Sequence, residues 1–125
     1  MREYIGPAAL MLVSAAFLAI EGDMAYDFFE TWPLRIAGVV YAVGAVWWVS
    51  VAARATRHLW LHMALVWVPM IAPSWPLAIA MEASERNDSA GLAILLHMGP
   101  AGFACVISMI GAVGIMLRML ERSDR

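Results

Sequence analysis

Lysine is absent from the 125 residues, so all eight basic side chains are arginines. Charged residues of either sign make up 14% of the chain, against about 25% in a typical soluble domain, and that scarcity excludes an ordinary soluble fold. A single cysteine, Cys105, excludes an internal disulfide and most cysteine-based metal or redox motifs, and in mid-helix it reads as a small packing residue. None of the long apolar runs contains Asp or Glu. A proton-coupled exporter of the small four-helix type, which needs a carboxylate within the membrane, is therefore excluded. A phosphate-binding glycine loop, a nucleophile elbow and the Gly and Ser/Thr strings of a channel filter are also missing. No nucleic-acid partner is expected.

What the chain has is apolar surface, with hydrophobic residues forming 63% of it. Four runs stand out, at residues 4–20, 34–53, 58–81 and 91–120. The last holds one charge, Arg118. At about 1.5 Å per residue it exceeds the roughly 30 Å of a hydrocarbon core. The pattern predicts an all-α integral membrane protein: four transmembrane helices in a single domain, packed as an antiparallel up-down bundle. The first run follows Met1 and Arg2 as a secretory signal would, yet no small-x-small cleavage site precedes Glu21, Gly22 and Asp23, so a retained helix is expected.

Charge orients the bundle. Arg2, Arg54, Arg57, Arg118, Arg122 and Arg125 fall on one side, leaving Arg35 and Arg86 on the other. The positive-inside rule then puts both termini in the cytoplasm, in a bacterial inner membrane. Glu21, Asp23, Asp27, Glu30, Glu82, Glu85 and Asp88 make the outer side acidic. That face is either a docking surface for a basic soluble partner or the plain consequence of topology. The connection from Glu21 to Pro33 mixes acids with aromatics and suits the membrane interface, while Asn87, Asp88 and Ser89 suit a cap on the fourth helix.

Helical spacing places Gly38, Ala42 and Ala45 on one stripe of the second span, and His97, Ala101, Ala104, Ser108 and Gly111 on one stripe of the fourth. Small residues let helix backbones approach closely, so these are expected helix-interface positions. Pro69, Pro73 and Pro76 predict a kink in the third span, or a break near Ala72 to Trp75. Tryptophans 32 and 75 mark the outer interface, and 47, 48 and 60 the inner one, whereas Trp67 stands near mid-depth.

The histidines are the candidate ligands. His97 suits a single axial bond to a haem or chlorin, or a quinone contact, with Trp67 or Phe103 against the ring. The reading favoured by the sequence is a neutral hydrogen bond to Ser14, Ser50 or Ser108. His62 and His97 are expected about 15 Å apart in height, too far to share one iron. His58 and His62, spaced i and i+4, are a metal candidate if a third ligand arrives, with headgroup anchoring the alternative.

The second and third spans, with the turn Arg54-Ala-Thr-Arg57 and the LWLH stretch Leu59 to His62, resemble the membrane anchor of quinoprotein sugar dehydrogenases over about a third of the chain. The acidic and aromatic motif that follows the third span in that family is absent, so no residue role transfers. The function expected is a non-catalytic accessory subunit of a larger respiratory or photosynthetic inner-membrane complex, packed through small-residue faces against other subunits or itself. The alternatives are a haem-, pigment- or quinone-binding protein using His97 and a small dimeric transporter or channel.

Overall fold

The computed structural model describes residues 1–21, 32–71 and 91–125, with side chains described except at 18–21, 32–34 and 91–98. Several expectations fall outside the described residues: the interfacial connection after Glu21, the break near Ala72 to Trp75, the Asn87, Asp88, Ser89 cap, most of the acidic outer face, and the side chain of His97.

All regular structure among the described residues is helical. A 3-10 turn, Arg2–Tyr4, leads into α1, Ile5–Glu21. Pro7 lies in the first turn of α1, where its missing N–H has no helical partner to lose, and its ring is fully buried. Helix α2 is Trp32–Arg54, α3 is Leu59–Leu65, α4 is the short Val68–Ile71, and α5 is Gly91–Ser123. Within α2 and α5, Arg35–Arg54 and Gly99–Ser123 are long and apolar enough to cross a membrane. Of the other two expected spans, the first matches α1 in length and the third is described only as far as Ile71. Helix α1 has 17 residues, just under the roughly 20 that a perpendicular crossing takes, and Leu59–Ile71 is a short apolar helix.

Helix α2 is the centre of the molecule. A Cβ at Gly6 would lie 2.5 Å from the Trp47 ring, and one at Gly44 would lie 2.9 Å from Met11 Cγ, so α1 runs antiparallel to α2. A Cβ at Gly38 would meet Pro100 at 3.1 Å and one at Gly111 would meet Val49 at 2.5 Å, so α5 runs parallel to α2 on its other side. The α3–α4 limb runs against both, with Leu65 beside Trp48 and Pro69 beside Tyr41. One end of the molecule therefore gathers the N-terminal turn, the connection after α2 and the end of α5.

The small residues are what allow this closeness. Ala45, Ala104 and Ser108 have no exposed surface, Gly38 and Gly111 are buried, and Ala42 and Ala101 are half-buried. Both stripes thus meet partners within this chain: Gly111 packs on Val49 of α2 and Val66 after α3, and Gly38 packs on Pro100 of α5. The outward faces are bulky instead, with Ile36, Val39 and Val43 exposed on α2 and Val106, Ile110 and Leu117 on α5.

The third limb is interrupted one turn before its first proline. Helix α3 ends at Leu65, and Val66 and Trp67 form a turn before α4. The reason is local chemistry: Pro69 has no N–H for the carbonyl of Leu65, four residues earlier, and its ring crowds that carbonyl. Pro73 likewise has no N–H for the carbonyl of Pro69, whatever its own conformation. Both freed carbonyls have replacement donors. Trp48 Nε1 donates to Leu65 O at 2.7 Å, and the Tyr41 hydroxyl donates to Pro69 O. Tyr41 and Trp48 are seven residues apart, two turns of α2 on one face, and both are buried.

At the gathered end, α2 is closed by arginines from another helix. Arg118 donates to Ala53 O in the last turn of α2, and Arg122 donates to Thr56 O just beyond it. Helix C-termini leave carbonyls unpaired and carry partial negative charge, so guanidinium groups are well matched there. His58 then turns the chain into α3 with φ 53° and ψ 46°, a left-handed conformation that few non-glycine residues adopt. Its carbonyl accepts from the N–H groups of Leu61 and His62 at 2.9 and 3.2 Å.

Candidate functional site

The polar side chains that the N-terminal turn, α2 and α3 bring together form a ladder at the gathered end. Tyr4 is buried between two rings. Its centroid lies 4.5 Å from that of Trp48 with planes tilted by 56°, and 5.8 Å from that of His62 with planes at 22°. The Tyr4 hydroxyl and His62 Nδ1 are 2.6 Å apart. A phenol hydroxyl can donate to a bare Nδ1 or accept from a protonated one, so one hydrogen bond joins the pair in either imidazole tautomer. Trp48 continues the ladder through its indole N–H to Leu65 O. Three limbs are thereby tied by one run of aromatic rings, with the Tyr4 hydroxyl, His62 Nδ1 and the Trp48 indole N–H each in a hydrogen bond.

That arrangement bears on the expected metal pair. His58 precedes the helix in a left-handed conformation, so it does not share a regular helical face with His62, and His62 Nδ1 is occupied by Tyr4. Among the described residues no group of three His, Cys, Asp or Glu side chains lies close enough to hold a metal ion. The backbone of His97 belongs to α5, nearer its start than Ala101 and Ala104. Of its expected serine partners, Ser14 donates to Leu10 O at 2.7 Å within α1, Ser50 is half-buried and Ser108 is fully buried. Trp67 and Phe103 are both partly exposed, at 37% and 43%. Trp48, assigned to the inner interface on sequence grounds, is only 7% exposed and belongs to the core, because its N–H has a carbonyl to reach inside the protein.

Ser108 is the exception to this pairing. Its hydroxyl is buried with no hydrogen-bond partner among the described residues. A buried unpaired hydroxyl carries its desolvation cost without return, and alanine is the better helix former. Ser108→Ala is expected to stabilise the protein by about 1 kcal/mol, read as a higher midpoint of thermal unfolding in detergent. A lower midpoint would show that the hydroxyl has a partner in the native protein.

The sequence reading missed the pairing of donors with prolines. The signal was present: prolines at i and i+4 in one limb, and two aromatic donors at i and i+7 in its neighbour. Register between the limbs, which sequence does not state, was needed to join them. Comparison with protein-family models, curated proteins and solved structures gives no match to this chain, so the likeness to quinoprotein anchors gains no support there.

Proposed function

We propose that this chain is a non-catalytic, four-pass accessory subunit of a larger complex in a bacterial inner membrane, with both termini in the cytoplasm. The observation that carries the reading is how the interior polar groups are used. Tyr41 and Trp48 complete the backbone that prolines interrupt, Tyr4 and His62 pair with each other, and Ser14 bonds its own helix. These groups make a rigid scaffold out of a proline-broken limb. The two candidate spans and the bulky aliphatic faces of α2 and α5 supply surface for lipid and for neighbouring subunits.

The test is native mass after gentle extraction of the tagged full chain from its own membrane. The expected result is resistance to alkaline washing and a particle several times the 13.7 kDa of the chain, with one other membrane protein at fixed stoichiometry. A single 13.7 kDa chain in the detergent particle would overturn the subunit reading. A reporter fused after Arg125 is expected to be active only in its cytoplasmic form.

A further inference from the structure

Where the ends of α2 and α5 meet, a cleft of about 400 Å³ opens between Arg54, Arg118, Arg122 and Arg125, with Glu121 the one carboxylate on its wall. Four arginines lining one space bring like charges together, and an anion between them relieves the repulsion. Two of the four are held in place, because Arg118 and Arg122 each spend a donor on a carbonyl near the end of α2. A guanidinium has five N–H donors in a fixed fork, so each retains donors for a ligand. Leu59, 8% exposed, gives the cleft an apolar element. Leu117 and Leu120 are exposed on the same last turns of α5, outside the cleft wall.

We propose that this cleft binds a phosphate group, carried by the headgroup of an acidic phospholipid. Phosphate is the anion whose oxygens match several guanidinium forks at once. Arg54 and Arg125 contribute charge and donors, while Arg118 and Arg122 hold the frame by capping α2. The lipid as source rests on the membrane reading above, and the phosphate site itself does not. Basic pockets between helices on the cytoplasmic side of membranes take anionic headgroups in this way.

The experiment uses the purified full chain in a neutral detergent, with three probes: dioleoyl phosphatidylglycerol, dioleoyl phosphatidylcholine and inorganic phosphate. Bound mass is read by native mass spectrometry, and protection by the shift in thermal midpoint. The expected result is retention of phosphatidylglycerol and a higher midpoint with it, and neither with phosphatidylcholine. Arg54→Gln with Arg125→Gln is expected to weaken binding about tenfold, and the same pair changed to Lys by less, because the charge stays while the fork is lost. Arg57→Gln, on the same connection but outside the cleft wall, is expected to leave affinity within about twofold.

Protection by inorganic phosphate, dependent on Arg54 and Arg125, would uphold the phosphate site and assign it to a soluble ligand. If the protein proves not to be membrane-integral, that arm still decides the matter. Equal weakening by Arg57→Gln would overturn the cleft in favour of diffuse charge attraction, and binding of none of the probes would overturn it outright.

Discussion

Gly111→Leu is expected to cost the fold about 3 kcal/mol or more, with little folded protein recovered from the membrane. Even alanine is too large. Its Cβ would lie 2.5 Å from Val49 Cγ1 and 2.8 Å from Val66 Cγ2. Real Cβ atoms do not approach other atoms so closely, so something must shift. Both valines are buried and β-branched, with little freedom to turn away. The opposing effect is helix propensity, which favours alanine over glycine by about 1 kcal/mol. Overpacking costs about 1–3 kcal/mol, so the clash wins and Gly111→Ala is expected to destabilise by about 1–2 kcal/mol.

The contact itself is checked by a double-variant cycle. Val49→Ala removes the nearer clash, so Gly111→Ala with Val49→Ala should be more stable than the sum of the single changes predicts, by about 1 kcal/mol. Equilibrium unfolding of the four proteins in one detergent measures this. Strict additivity would mean that α2 and α5 do not meet at these residues.

The second large effect concerns the indole that serves a carbonyl freed by proline. Trp48→Phe keeps most of the ring volume but leaves the half-buried Leu65 O without a donor, which costs about 1–3 kcal/mol, in addition to the packing lost beside Tyr4. In a Pro69→Ala background, residue 69 regains an N–H that can reach Leu65 O along the helix. The cost of Trp48→Phe is expected to fall there by about 1–2 kcal/mol. An unchanged cost would reduce Trp48 to a packing residue. Tyr41→Phe, which strips the donor from the buried Pro69 O, should cost at least as much as Trp48→Phe loses through its own carbonyl.

These expectations separate what each level of description supplies. Composition and run length are additive properties of the chain, so the helical class was legible from the scarcity of charge and the four apolar runs. Periodicity marked Gly38, Ala45, Ala104, Ser108 and Gly111 as one-sided and small, because position around a helix depends only on spacing. The partner of each stripe was not legible, since a close-approach face serves a second chain as well as the same chain. Register decided it, by setting Gly111 against Val49 and Val66.

The prolines show the same division. Sequence located the chemistry that breaks the third limb. The structure placed the turn at Val66 and Trp67, where Tyr41 and Trp48 of α2 reach the freed carbonyls. The arginines follow suit: their side of the molecule came from counting charges, but the cleft exists only because α2 and α5 run parallel and end together. Sequence by itself determined which groups are apolar, small, charged or unable to hydrogen-bond, since these are properties of single residues and their spacing. Only the tertiary structure decided which of them meet, because contact depends on the relative register of helices far apart in the chain.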